Sequence, residues 1–164
     1  MSYEQMRKKE KAMTMEEIET FIRSKTILHL CLTGNSSHPY VVPLNYAYVN
    51  GKFILHSTNK GHKAEILHVD PRVCITISRQ HFIETDGLIP CEEYKTPYTS
   101  IVAFGKAYFP EGNEKIGYLT NFVKYYMKID DPPVTEFDTD FMLRTYVIVI
   151  EVDHITGKTL RREA

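Results

Sequence analysis

Residues 39–57 read PYVVPLNYAYVNGKFILHS. The stretch 39–49 is rich in Val, Tyr and Leu and forms one long β-type run. Pro43 inside that run has no N–H to give a ladder, so the run belongs at a sheet edge or a bulge. Asn50-Gly51 follows, a pair suited to the two positive φ angles of a two-residue hairpin turn. Residues 52–57 (KFILHS) are then the return strand, antiparallel to the run before it.

Upstream, Thr14 followed by Glu17 is a capping box that opens a helix. Ile18, Phe21 and Ile22 give that helix one apolar face, and residues 24–26 end it. Residues 26–33 (TILHLCLT) read as a strand, and residues 34–37 (GNSS) as a turn. Downstream, a polar loop leads to a short helix over 62–69. Ala64 and Leu67, with Val69 as a further candidate, face inward, and Asp70-Pro71 stops the helix. Residues 73–78 (VCITIS) are a strand, and residues 79–96 a long loop without period. Residues 98–109 are a strand with a bend or bulge at Gly105. Residues 112–127 are a helix with Ile116, Leu119, Phe122, Val123 and Tyr126 on one stripe. Asp131-Pro132-Pro133 is a breaker, and residues 146–152 (YVIVIEV) are the last strand.

The expectation is a mainly β (α+β) chain: six antiparallel strands, flanked by helices, in a small barrel. Residues 1–13 are charged and read as a mobile N-terminal arm, and residues 14–164 as a single domain. With 164 residues, the chain has the length of one domain. Lys and Arg number 20 against 21 Asp and Glu, so no global positive field draws nucleic acid or an anionic membrane. The apolar runs are too short to span a bilayer, and no apolar segment follows the basic N-terminus as in a signal peptide. Three cysteines (Cys31, Cys74, Cys91) without CxxC spacing suit reduced, idle thiols in a cytoplasm.

Dinucleotide, P-loop, nucleophile-elbow and zincin signatures are absent. The densest polar cluster is residues 56–63 (HSTNKGHK), placed where a strand ends and a helix begins. A helix start offers unpaired N–H groups and partial positive charge, which suits a phosphate. Gly61 permits close backbone approach, Ser57 and Thr58 carry hydroxyl donors, and His62 and Lys63 bring positive charge. The same residues equally describe a solvated turn that caps a helix. His56, His62 and His68 recur every six residues, a spacing that does not put helical neighbours on one face, so no metal site is expected. Tyr125 and Tyr126 read as core or interface residues.

Taken in order, residues 39–48, the Asn50-Gly51 hairpin, residues 56–63, residues 70–73 (DPRV), residues 98–107 (YTSIVAFGKA) and residues 155–158 (ITGK) resemble the FMN-binding split-barrel superfamily of pyridoxamine 5′-phosphate oxidase-like proteins. The closer resemblance is to its nitroimidazole-resistance branch. It implies a six-stranded antiparallel split β-barrel that forms a homodimer with FMN at the subunit interface. By position, Val41, Val42, Pro43 and Asn45 line the flavin ring, largely through backbone atoms, and His56 and Ser57 flank the ribityl chain and phosphate, with Thr58 the next cofactor-binding candidate. His62 and Lys63 take the places of the family's basic phosphate-binding pair, with His62 also the candidate catalytic residue. Thr99 and Ser100 reach the flavin from one subunit or its neighbour. The family's usual Arg is Thr99 here. The basic C-terminal signature that holds the substrate phosphate in pyridoxamine phosphate oxidases has no match in ITGKTLRREA. The resemblance therefore implies an FMN-dependent oxidoreductase acting on small molecules such as nitroaromatics, and not on vitamin B6. The alternative is a flavin- or haem-binding carrier or sensor without turnover.

Overall fold

The computed structural model describes residues 8–33, 38–80, 96–130 and 137–160. Helix α1 (Met15–Arg23) is followed by strands β1 (Ile27–Leu32), β2 (Tyr40–Asn45), β3 (Ala47–Val49) and β4 (Lys52–Thr58). Then come α2 (His62–Val69), β5 (Arg72–Gln80), β6 (Tyr98–Tyr108), α3 (Gly112–Met127), α4 (Thr139–Arg144) and β7 (Thr145–Leu160). The expected turn at 34–37, most of the expected loop at 79–96 with Cys91, the breaker at 131–133 and residues 1–7 of the expected arm lie outside the described residues. Within the rest of that arm, Ala12 forms an isolated bridge with Lys158.

One antiparallel sheet of seven strands, in the order β2-β1-β5-β6-β7-β4-β3, organises the described residues. The count is seven rather than six because the run 39–49 breaks at Tyr46. That side chain is fully buried, its hydroxyl donates to the Ile22 carbonyl at 2.6 Å, and its N–H donates to the Thr26 carbonyl at 3.2 Å. A residue anchored inward on both counts cannot continue an edge ladder. Pro43 stands in β2 at the sheet edge, where its missing donor costs nothing. Asn50 (φ 51°) and Gly51 (φ 78°) make the expected hairpin between β3 and β4. Edge strand β2 also comes back against β4 without pairing to it, so the sheet curls into a half-barrel with a seam there.

Leu28, Leu30, Leu32, Phe53, Leu55, Ile75, Ile77, Ile101, Ile148 and Ile150 fill the concave side, with Ile18 and Ile22 of α1 packed among them. A second cluster, Ala47, Ile54, Val147, Val149 and Leu119, joins the other face of β3, β4 and β7 to α3. Residues 147–150 are therefore buried on both faces, which explains their unbroken apolar run. On α2, Ala64 and Leu67 point inward as expected. Val69 does not: it is 64% exposed, and Ile66 is buried instead. Cys31 and Cys74 are free thiols, and they lie opposite each other across the β1–β5 ladder, close enough to hydrogen-bond.

The capping box of α1 closes as the sequence implies: Thr14 N–H donates to Glu17 Oε2 at 2.9 Å, and Glu17 N–H to Thr14 Oγ1 at 3.2 Å. Thr14→Ala should cost about 1 kcal/mol of stability. Urea unfolding will show this as a lower midpoint at unchanged slope.

Candidate functional site

Of the residues that the sequence singles out, Pro43, Asn45 and His56 come together at the seam. A cleft of about 400 Å³ is lined by Ile27, Pro43, Leu44, Asn45 and His56. It joins β1, β2 and the end of β4. Val41 is on the same outward face of β2 as Pro43 and is 52% exposed, whereas the Val42 side chain packs against the core and leaves only its backbone for a ligand. His56 meets Phe122 of α3 edge-on, with ring centroids 4.7 Å apart, and Phe122 stacks on Tyr126. Tyr126 in turn donates to the carbonyl of Tyr46, at 3.0 Å.

Beyond β4 the chain turns through residues 59–61 into α2. Gly61 holds φ 110°, where a side chain would be strained, and a Cβ there would have no atom within 4 Å. The amides of Ala64 and Glu65 turn back to the Gly61 carbonyl, while those of His62 and Lys63 precede any intrahelical acceptor. Open space thus lies before a helix start. Burial lowers the pKa of Lys63. His56 is also held below its ordinary value, first by burial and then by the charge of Lys63. The positive charge of Lys63 thus reaches the His56 ring, and a bound anion nearby would offset it.

Other expected donors are differently engaged. Ser57 Oγ donates to the Thr58 carbonyl at 2.7 Å, and Thr58 Oγ1 to the Lys60 carbonyl at 2.9 Å. Each hydroxyl has one proton, so these bonds shape the turn. His62 lies edge-on to Tyr40, with centroids 5.1 Å apart, and its Nδ1 is 3.6 Å from Glu65 Oε2. His68 stacks on Phe109, so the three spaced histidines face three different partners. In the DPRV segment, Arg72 forks onto Asp70, with Nη2 to Oδ2 at 2.7 Å, and these bonds pull the carboxyl down to about 2. That pair fixes the turn from α2 into β5.

Thr99 and Ser100 are not at the seam. Thr99 Oγ1 is 3.1 Å from Thr159 Oγ1, in a second cleft beside α1. His56 pairs with Val147 and Thr99 with Thr159, so the length of β7 between those two residues separates them. Strand rise makes that at most about 40 Å. Sequence reading missed Ile27 and Leu44 in the cleft, Phe122 and Tyr126 behind His56, and Asn59 in the turn. Only Asn59 had a local signal, its place inside the polar cluster.

A curled antiparallel half-barrel with a polar turn and helix start at its seam defines the class, and the family model described as pyridoxamine 5′-phosphate oxidase matches residues 14–159. The chain belongs to that family. It is similar to a protein of Bacteroides thetaiotaomicron described as a proposed 5-nitroimidazole antibiotic resistance protein, at 29% identity and a TM-score of 0.73, over 90% of this chain and 86% of that one. It shares its fold with the FAD and haem binding protein of Mycobacterium smegmatis (14% identity, TM-score 0.76, 92% of this chain and 75% of that one). An FAD-binding protein of Mesorhizobium loti has the same fold (17% identity, TM-score 0.65, 92% and 96%). No curated protein sequence matches the chain. Among the described residues, no helix is long and apolar enough to cross a membrane.

Proposed function

We propose that the chain binds FMN and works as an oxidoreductase that reduces small oxidised molecules such as nitroaromatics. The carrying observation is the seam: the cleft beside Pro43 and Asn45 is lined by His56, on the strand that leads into α2, and the charge of Lys63 reaches that histidine. The donor set fits a phosphate: two free amides, a partly buried cation and open space at Gly61. Bound flavin supplies the electron transfer. The chain's residues supply the rest. Lys63 and the first amides of α2 anchor the phosphate. Backbone groups of Val41, Val42, Pro43 and Asn45 run along the ring edge, and His56 holds the ribityl side against Phe122. His62, exposed beside Tyr40, is the acid that hands a proton to the reduced substrate.

The proposal includes a homodimer. Ile27, Val41 and Phe104 are exposed apolar residues on the outward face of the sheet, a face suited to a second copy. Thr99 and Ser100 would then approach a flavin held by the other chain. The proposed compartment is the cytoplasm, where the contacting thiols of Cys31 and Cys74 stay free.

A second reading, a flavin- or haem-binding carrier, is favoured by the likeness to a protein described as binding both FAD and haem. One experiment separates the two. FMN-loaded protein, reduced with dithionite without oxygen, should be reoxidised by a nitroaromatic faster than free reduced FMN at equal concentration. Equal rates, or a Soret band on haem addition with release of flavin, would favour the carrier.

A further inference from the structure

We propose that Asn59 is a positioning residue that sets the shape of the phosphate turn by tying it to α4; this rests on the FMN reading above. The β4–β7 ladder ends at Thr58 opposite Thr145. Asn59 carries the connection one step further in two ways. Its backbone N–H donates to the Arg144 carbonyl at 2.9 Å, and its side-chain Nδ2 donates to the Leu143 carbonyl at 2.7 Å. The carbonyl before these, that of Met142, accepts from Lys115 Nζ of α3. The last three carbonyls of α4 are thereby all used, two of them by one residue of the turn.

Outside these bonds α4 is held by Met142, packed against the second core cluster, and by its direct run into β7. None of its residues is buried, and Phe141 and Leu143 are 39% and 68% exposed. Its N-terminus is closed by Asp138, whose side chain accepts from the Asp140 N–H at 2.7 Å. With both ends satisfied, this short helix is a fixed post. Asn59 hangs the turn on that post, two residues before Gly61 and four before Lys63. One of the two Nδ2 protons of Asn59 is given to the Leu143 carbonyl, which ties the side chain to α4. Its effect on a bound phosphate is therefore through the placement of Gly61, the α2 amides and Lys63.

The test compares FMN with riboflavin, which has the same ring and ribityl chain without the phosphate. Asn59→Ala should raise the Kd for FMN about five- to tenfold, because a turn no longer held in place must be ordered when the phosphate binds. Its Kd for riboflavin should change less than twofold. Asn59→Leu keeps the volume and removes the donor, and should do the same. A thermal melt of each variant checks that the fold is kept. An unchanged FMN Kd in both variants, or an equal loss for the two flavins, would overturn the role. Lys63→Ala, run in parallel, tells which idea has failed. Lost FMN preference there with none lost at Asn59 leaves the phosphate site standing and removes Asn59 from it. A parent chain with no preference for FMN over riboflavin removes both.

Discussion

Lys63→Ala is expected to bind FMN about ten- to a hundredfold more weakly than the parent chain. A hydrogen bond to a charged group contributes about 1.5–3 kcal/mol, and each 1.4 kcal/mol is a tenfold change in Kd. The site makes the upper part of that range reasonable, because burial already lowers the pKa of the Lys63 ammonium and so marks it as partly removed from water. Riboflavin affinity should hardly move. Folding stability should change by less than about 0.5 kcal/mol, since no ion pair of Lys63 is lost among the described residues. A second readout needs no ligand. Lys63 is the second cause of the lowered His56 pKa, so its removal should raise that pKa. Burial, the first cause, remains, and the value should stay below the ordinary one. A proton NMR titration of the His56 ring checks the direction. An FMN affinity within twofold of the parent would remove Lys63 from the phosphate site.

The largest effect on stability is expected from Gly105→Ala. Gly105 stands where the β6–β7 register shifts, between Phe104 opposite His154 and Gly105 opposite Val152. A Cβ there would fall inside contact distance of the Glu151 carbonyl oxygen and 3.2 Å from the Val152 Cα. Both obstacles are backbone in the middle of the longest ladder, so neither can swing aside as a side chain would. Overpacking costs about 1–3 kcal/mol where side chains can adjust, and more is expected where they cannot. A loss of about 3 kcal/mol or more should appear as a large drop in urea midpoint. A drop under 1 kcal/mol would mean that β6 and β7 can part at this point without cost.

The same glycine shows what the sequence made legible. A lone Gly inside a β-type run marked the bulge, although not the strand it would press against. The Asn50-Gly51 turn and the Thr14–Glu17 capping box were readable because their chemistry is complete within a few residues. The end of β4 and the start of α2 were readable for the same reason, and with them the polar turn at the seam. Tyr46 was not. Its side chain leaves the β-run to donate to Ile22, a partner on α1 that no local pattern points to. The second half of β7, DHITGKTL, lacks apolar alternation because its place is set by pairing with β6, and only Gly157 is buried there. Helix α4 has too few residues to show a period, and Asp138 before Thr139 was its one cap signal. The contact of Cys31 with Cys74 arises from register between β1 and β5, which spacing along the chain does not encode. Thr99 and Ser100 rest on the resemblance alone, and the fold sets them a strand's length from the turn in the same chain.

The phosphate turn is the hinge of this account, and a flavin titration tests it most directly. The parent chain, stripped of any ligand, is titrated with FMN and with riboflavin while flavin fluorescence is followed. FMN should bind saturably and at least tenfold more tightly than riboflavin, the difference being the phosphate held by Lys63 and the first amides of α2. Equal affinity for the two flavins, or no binding of FMN, would contradict it.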